Sequence, residues 1–352
     1  MRRLLASALG LFLLALGAAA QPLGLVDNPA PADFPLIQDA SAAPLIIAPG
    51  LDPAVARAAN DLVADITRVS GITPAVLPAL PPTSRAVVLV GIAGSSPLLD
   101  RLASAGKFDL QPLSGAWESF VIQTVAQPFP GIDQALVIAG SDRRGAIYGL
   151  YEISSAIGVS PWHWWADVPP AHHDSLVFAA GTHRFGPPSV KYRGIFLNDE
   201  DWGLQPWAAK TFDPEYGDIG PKTYAKVFEL LLRLKANTLW PAMHACTRAF
   251  NSDPANARLA DTYGIVMGSS HAEPMLRNNV REWTALKDDY NYVANRDGVL
   301  RYWEERVAAN ARYESIFTLG MRGIHDSAMV GPKTAAERIA TLEQIFADHG
   351  GV

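Results

Sequence analysis

The 352-residue chain has a single cysteine, Cys246, so no internal disulfide can staple it and its stability must come from core packing. Bases are short as well. Against 35 Asp and Glu stand 29 Lys and Arg, for a formal charge of −6, and there is no basic field to gather nucleic acid or an anionic membrane. Charged residues make up 18% and hydrophobic ones 49%, a balance that excludes disorder and allows two sizeable cores. A Gly-rich phosphate loop is also absent. Gly91-Ile92-Ala93-Gly94-Ser95-Ser96 follows an apolar stretch but lacks both the G-x-G-x-x-G spacing and a Lys-Ser/Thr pair. No His or Cys cluster has zinc spacing, and His172, His173 and Asp174 read as a surface turn.

What is present begins with a leader. Arg2 and Arg3 precede an apolar run over residues 4–16, too short to span a bilayer, and Gly17-Ala18-Ala19-Ala20 precedes Gln21. Residues 1–20 are expected to be a signal peptide cleaved after Ala20, which places the mature protein in the periplasm or outside the cell, with no membrane attachment. Cys246 is expected to be a buried thiol.

Two domains are expected, 21–185 and 186–352. In the first, strands at 45–48, 86–90, 120–122 and 135–139 alternate with two helices. Asp52-Pro53 opens the first helix and Gly71 stops it; Asp142 opens the second, which runs to Ile157. The segment Trp162-His163-Trp164-Trp165 is expected to pack between the domains.

A second rhythm starts at Lys191. Strands are expected at 194–197, buried, then 238–243, 264–268 and 315–320. Between and after them come an amphipathic helix at 221–236 with Val227, Leu230, Leu231 and Leu234 on its apolar stripe, a helix at 256–263, a long helical region at 280–313 and a helix at 332–348. Polar clusters follow the strands, the pattern of a (β/α)8 barrel with its site at the C-terminal face. The expected fold is therefore α/β: a small N-terminal α/β sandwich domain followed by the first half of a TIM barrel, four of its eight units. Such a half barrel is expected to leave edges unpaired and to fold poorly alone.

The first cluster is Asn198, Asp199, Glu200 and Asp201. Consecutive carboxylates repel one another and cost desolvation wherever they are partly buried, which marks the loop as a candidate site. The others are Ser269-Ser270-His271-Ala272-Glu273 and Met321-Arg322-Gly323-Ile324-His325-Asp326.

Together with Val227-Phe228-Glu229-Leu230-Leu231-Leu232-Arg233-Leu234-Lys235-Ala236-Asn237-Thr238-Leu239-Trp240-Pro241-Ala242-Met243, these motifs resemble glycoside hydrolase family 115, the xylan α-glucuronidases. The resemblance implies removal of glucuronic acid, or its 4-O-methyl ether, from glucuronoxylan with inversion. It departs from many relatives at Ala272, where they carry His. Inversion needs a protonated acid at the leaving oxygen and an ionised base holding a water, about 6.5–9.5 Å apart, and no metal or cofactor. Asp326, beside the Arg322 guanidinium, is the expected base, with Asp199 and Glu200 competing for that role or binding sugar hydroxyls. Arg322 suits a uronic carboxylate, and Glu200, His271, Glu273, Asn198 and Trp240 are expected sugar-binding residues. The resemblance places the acid in a motif beyond Val352, so the chain alone is expected to be inactive. The alternatives are a non-catalytic binder of acidic xylan fragments and a substrate-assisted hexosaminidase-like enzyme.

Overall fold

The computed structural model describes residues 23–351; the expected leader lies outside them. Its elements in chain order are β1 (Phe34–Gln38), β2 (Ser41–Ala42), β3 (Leu45–Ile46), α1 (Pro53–Ser70), β4 (Val76–Leu77), β5 (Ser84–Ile92), α2 (Pro97–Ser104), β6 (Phe120–Ala126), β7 (Ile132–Gly140), α3 (Arg143–Ala156), β8 (Leu176–Phe178) and β9 (Thr182–Phe185). They continue with β10 (Gly194–Phe196), α4 (Leu204–Trp207), α5 (Pro221–Arg233), β11 (Thr238–Trp240), α6 (Pro254–Tyr263), β12 (Val266–Met267), α7 (Asn279–Glu282), α8 (Arg296–Asn310) and α9 (Ala335–His349). The fold is mixed α/β. Among the described residues no helix is long and apolar enough to cross a membrane.

The main sheet has the order β4-β3-β5-β7-β6-β9, parallel from β4 to β7 and antiparallel beyond. Its central strands alternate between two cores because successive side chains face opposite ways. Val88, Val90, Leu136 and Ile138 pack with α1 and α3, whereas Val87, Leu89, Val137 and Ala139 pack with Leu99 and Leu102 of α2. Both long helices open as expected: Asp52 accepts from the Ala54 N–H and Asp142 from the Gly145 N–H, and Gly71 closes α1 in the left-handed conformation. A small sheet of β2, β1 and β8, not anticipated, buries Phe34, Leu36 and Ile37.

The second part carries the parallel sheet β10-β11-β12. β10 was expected to be buried, but Ile195 is 45% exposed. The reason is that β10 pairs only with β11 and forms an edge. Gly194 lets the two strands meet, since a Cβ there would fall 1.8 Å from the Thr238 carbonyl oxygen. Leu234 is exposed instead of joining the apolar stripe, because α5 ends at Arg233 and Lys235 turns left-handed at φ 57. The expected strand at 315–320 reduces to one parallel bridge between Met267 and Ser315. Its later polar groups go elsewhere: Thr318 donates through its hydroxyl to the Ser269 carbonyl, and its own carbonyl accepts from the Met275 N–H. The long helical region breaks after α7, and Asn291, whose side chain accepts from the Val293 and Ala294 N–H groups, holds a turn before α8.

Two contacts fasten the halves together. Trp164 meets Trp165, Trp207 and Phe212 with ring centres 5.0, 6.0 and 5.1 Å apart, and the Trp165 indole donates to the Lys226 carbonyl. Glu118, buried, is the second. One of its oxygens accepts from Arg144 and Asn237 and the other from Arg193, all at 2.6 Å. Arg144 also reaches the Gly264 carbonyl and, with Arg143, Glu314. Arg193 and Asn237 directly precede β10 and β11, and Gly264 and Glu314 lie just before β12 and the Ser315 bridge. Glu118, just before β6, and Arg144, at the opening of α3, thus grip the starting ends of the parallel strands, and the acidic loops leave from the opposite ends.

Candidate active site

After β10 the backbone turns left-handed at Asp199, φ 61, and enters one 3-10 turn over Glu200–Trp202. That turn separates the carboxylates. Asp199 and Asp201 face solvent with Asn198, and Glu200 points inward at 3% exposure. One oxygen of Glu200 accepts from the His244 backbone N–H at 2.6 Å and from the Thr247 hydroxyl at 3.2 Å. The other has no hydrogen-bond partner among the described residues. Asp218 holds the same loop through the Arg248 N–H. The loop after β11 is therefore pinned by two buried carboxylates, which sets His244 against Asp201 at 3.1 Å.

Trp240 closes β11 and remains 37% exposed. Its indole lies over Gly268, where a Cβ would come within 2.5 Å of Nε1, and meets Phe196 edge-on at 5.5 Å. A bulkier residue at 268 would displace the ring.

Asp326 gathers the second cluster. One carboxylate oxygen lies 2.9 Å from His271 Nε2 and 3.1 Å from Arg322 Nη1, and the other 3.5 Å from His325 Nδ1. Arg322 also donates to the Asp326 carbonyl, which closes the loop on itself. The His271 hydrogen bond, with the charges of Arg322 and His271 behind it, holds the Asp326 carboxyl below its ordinary range. The rings of His325 and His244 are 5.8 Å apart, so the two clusters adjoin.

Glu273 lies beneath. It is buried, accepts a long hydrogen bond from the Ser270 N–H, and desolvation pushes its pKa up to about 8. Cys246, expected to be buried, is exposed on the loop pinned by Glu200 and Asp218; partial burial and the charges of Glu200 and Asp201 raise its pKa, the reverse of an activated nucleophile.

Of the expected site residues, the structure gathers Asp326, Arg322 and His271 in one cluster and Asp199 and Glu200 in the other, with Trp240 on β11. Asn198 is exposed at the rim and Glu273 sits below. His244, which joins the two clusters, was missed, although it stands one residue past the strand-end motif that closes at Met243. Asp199, Asp201 and His244 each offer an atom within 4.8 Å of the others, the one group among the described residues with the geometry to hold a cation. Three grooves, about 820 Å³ beside Phe129, about 790 Å³ beside Pro31 and Gln134 and about 750 Å³ beside Trp164 and Trp207, include none of these carboxylates.

Comparison with known proteins gives the class: residues 185–352 match the model of glycosyl hydrolase family 115. The chain belongs to that family. A solved family 115 4-O-methyl-α-glucuronidase with specificity for decorated arabinogalactans is similar over 91% of this chain and 40% of its own, at 39% identity and a TM-score of 0.80. The chain thus spans under half the length of that relative. A Streptomyces plicatus β-hexosaminidase in complex with GlcNAc matches over 92% of this chain and 62% of its own at 11% identity and a TM-score of 0.53, a likeness of fold alone. No curated protein gave a significant match.

Proposed function

We propose that the protein is an exported α-glucuronidase, secreted through residues 1–20. It removes α-linked glucuronic acid or its 4-O-methyl ether, with inversion, from glucuronoxylan or a similarly decorated polysaccharide. The parallel strands β10, β11 and β12 are read as the opening strands of a (β/α)8 barrel behind a separate N-terminal α/β domain. The observation that carries the reading is Asp326 held ionised by His271 and Arg322 at the strand ends.

In this reading Asp326 takes a proton from a water as that water's oxygen attacks the anomeric carbon. The bond to the leaving oxygen breaks, and that oxygen takes a proton from a carboxylic acid. The half-exposed guanidinium of Arg322 can turn one donor edge to the uronic carboxylate while keeping Asp326 ionised. Trp240 offers an apolar face to a pyranose ring, and Asp199 and Asn198 accept from its hydroxyls.

The test has two arms. Calorimetric binding of a glucuronic-acid-bearing xylo-oligosaccharide is expected to weaken in Arg322→Gln, with no change for the neutral oligosaccharide. In a chain that includes the general acid, release of the uronic acid from glucuronoxylan and from decorated arabinogalactan is expected to fall about 10²- to 10⁴-fold in Asp326→Asn while binding survives. Binding that ignores Arg322→Gln sinks the site assignment. Release unaffected by Asp326→Asn, but lost in Asp199→Asn, exchanges the roles of the two acids. Binding with no release from either polymer by that acid-bearing chain supports the non-catalytic binder.

A further inference from the structure

The mouth of the site holds more negative charge than its neighbours balance. Asp326 is covered by Arg322, His271 and His325. On the other side Glu200 and Asp201 have His244 as their one basic partner among the described residues, and Arg248 pairs with a different carboxylate, Asp218, at 3.9 Å. A uronic-acid substrate would therefore approach an uncompensated carboxylate cluster.

We propose that Asp199, Asp201 and His244, backed by Glu200, bind one divalent cation of the Mn²⁺ or Zn²⁺ class. Two independent observations support this. The ligand atoms of Asp199, Asp201 and His244 already lie within 4.8 Å of one another. Separately, Glu200 is 97% buried, yet its Oε2 has no hydrogen-bond partner among the described residues and lies 3.9 Å from His244 Nδ1. A carboxylate oxygen left bare in the interior is costly, and a cation held beside His244 would offset that cost.

The separations suit an ion. Donors at roughly 2.1–2.2 Å from a six-coordinate metal sit about 3 Å apart as neighbours and a little over 4 Å apart as opposites. The 3.1 Å between His244 Nδ1 and Asp201, and the 3.9 Å to Glu200, fall within that span. Carboxylates with one imidazole suit Mn²⁺ or Zn²⁺ better than a soft, thiolate-seeking ion. Cys246 on the same loop is not needed. The cation's use, which rests on the glucuronidase reading, is to neutralise this side of the mouth so that an anionic sugar can enter.

The experiment is titration of Mn²⁺ into the full chain, followed by the loss of the free-ion paramagnetic resonance signal, with Zn²⁺ and Ca²⁺ as competitors. One ion per chain is expected, displaced by Zn²⁺ more readily than by Ca²⁺. Asp201→Asn and His244→Gln should each weaken uptake about tenfold or more. Asp174→Asn, at the exposed His172–Asp174 pair, should leave it unchanged. Thermal melting checks that each variant is folded. Absence of stoichiometric uptake by the folded parent, or uptake that both variants retain, overturns the proposal. Uptake as expected, with uronate binding that ignores Arg322→Gln, overturns the glucuronidase reading and leaves the cation site standing.

Discussion

Glu273 follows β12 and Asp326 follows the Ser315 bridge, and their surroundings push them in opposite directions. Asp326 has its pKa lowered by the His271 hydrogen bond and the charges of Arg322 and His271. If it is the base, activity is lost only as pH falls through that lowered value, so the acid limb of a kcat/KM profile should lie below the ordinary carboxylate range. His271→Ala should move the limb up. A limb that stays in place would remove His271 from this role. Glu273 is raised by burial from 4.5 to about 8. The unfolded chain releases this proton near 4.5 while the folded chain retains it. The neutral form therefore supports the fold below about 4.5, and that support is lost as pH rises toward 8. Glu273→Gln should flatten the decline in melting temperature between pH 5 and pH 8. At this scale the sequence showed Asp326, Arg322 and His271, because acids and bases after apolar runs stand out by type. It did not show His244, nor that Glu200 turns inward while Asp199 and Asp201 turn out, because the left-handed backbone at Asp199 that separates them has no signature in an Asn-Asp-Glu-Asp run.

Elements were legible where local signals agreed. α1 and α3 each had an Asp cap, and α1 a glycine stop as well, and both formed within a residue or two of expectation. Residues 315–320 carried only an apolar run, and the hydrogen bonds that would have made a ladder went to Ser269 and Met275. No property of the run itself announces that competition. The Asp142 cap offers a direct check because it does two jobs: one oxygen accepts from the Gly145 N–H and the other from the Glu118 N–H, where φ is 48. Asp142→Ala should cost about 1–2 kcal/mol in urea unfolding, and Asp142→Asn should recover much of it. An Ala variant as stable as the parent would show that the cap contributes little.

For the whole molecule, the sequence suggested two units in tandem but not the bond between them, since Glu118, Arg144, Arg193, Asn237 and Glu314 are scattered through the chain. Glu118→Ala leaves two guanidinium groups without their shared partner. Unpairing a largely buried charge costs about 3–5 kcal/mol. The expected result is a lower melting temperature with the two parts melting separately; a single transition at the parental temperature would count against it.

The grip of Glu118 and Arg144 on the residues just before β10, β11, β12 and Ser315 has a consequence for domain exchange. A chimaera that takes residues 23–185 from one family member and the remainder from another inherits one half of a lock and one half of a key. Unless Glu118 and Arg144 travel with Arg193, Asn237 and Glu314, each graft seats an unmatched charge at the root of the strands, and every loop at their far ends inherits the error.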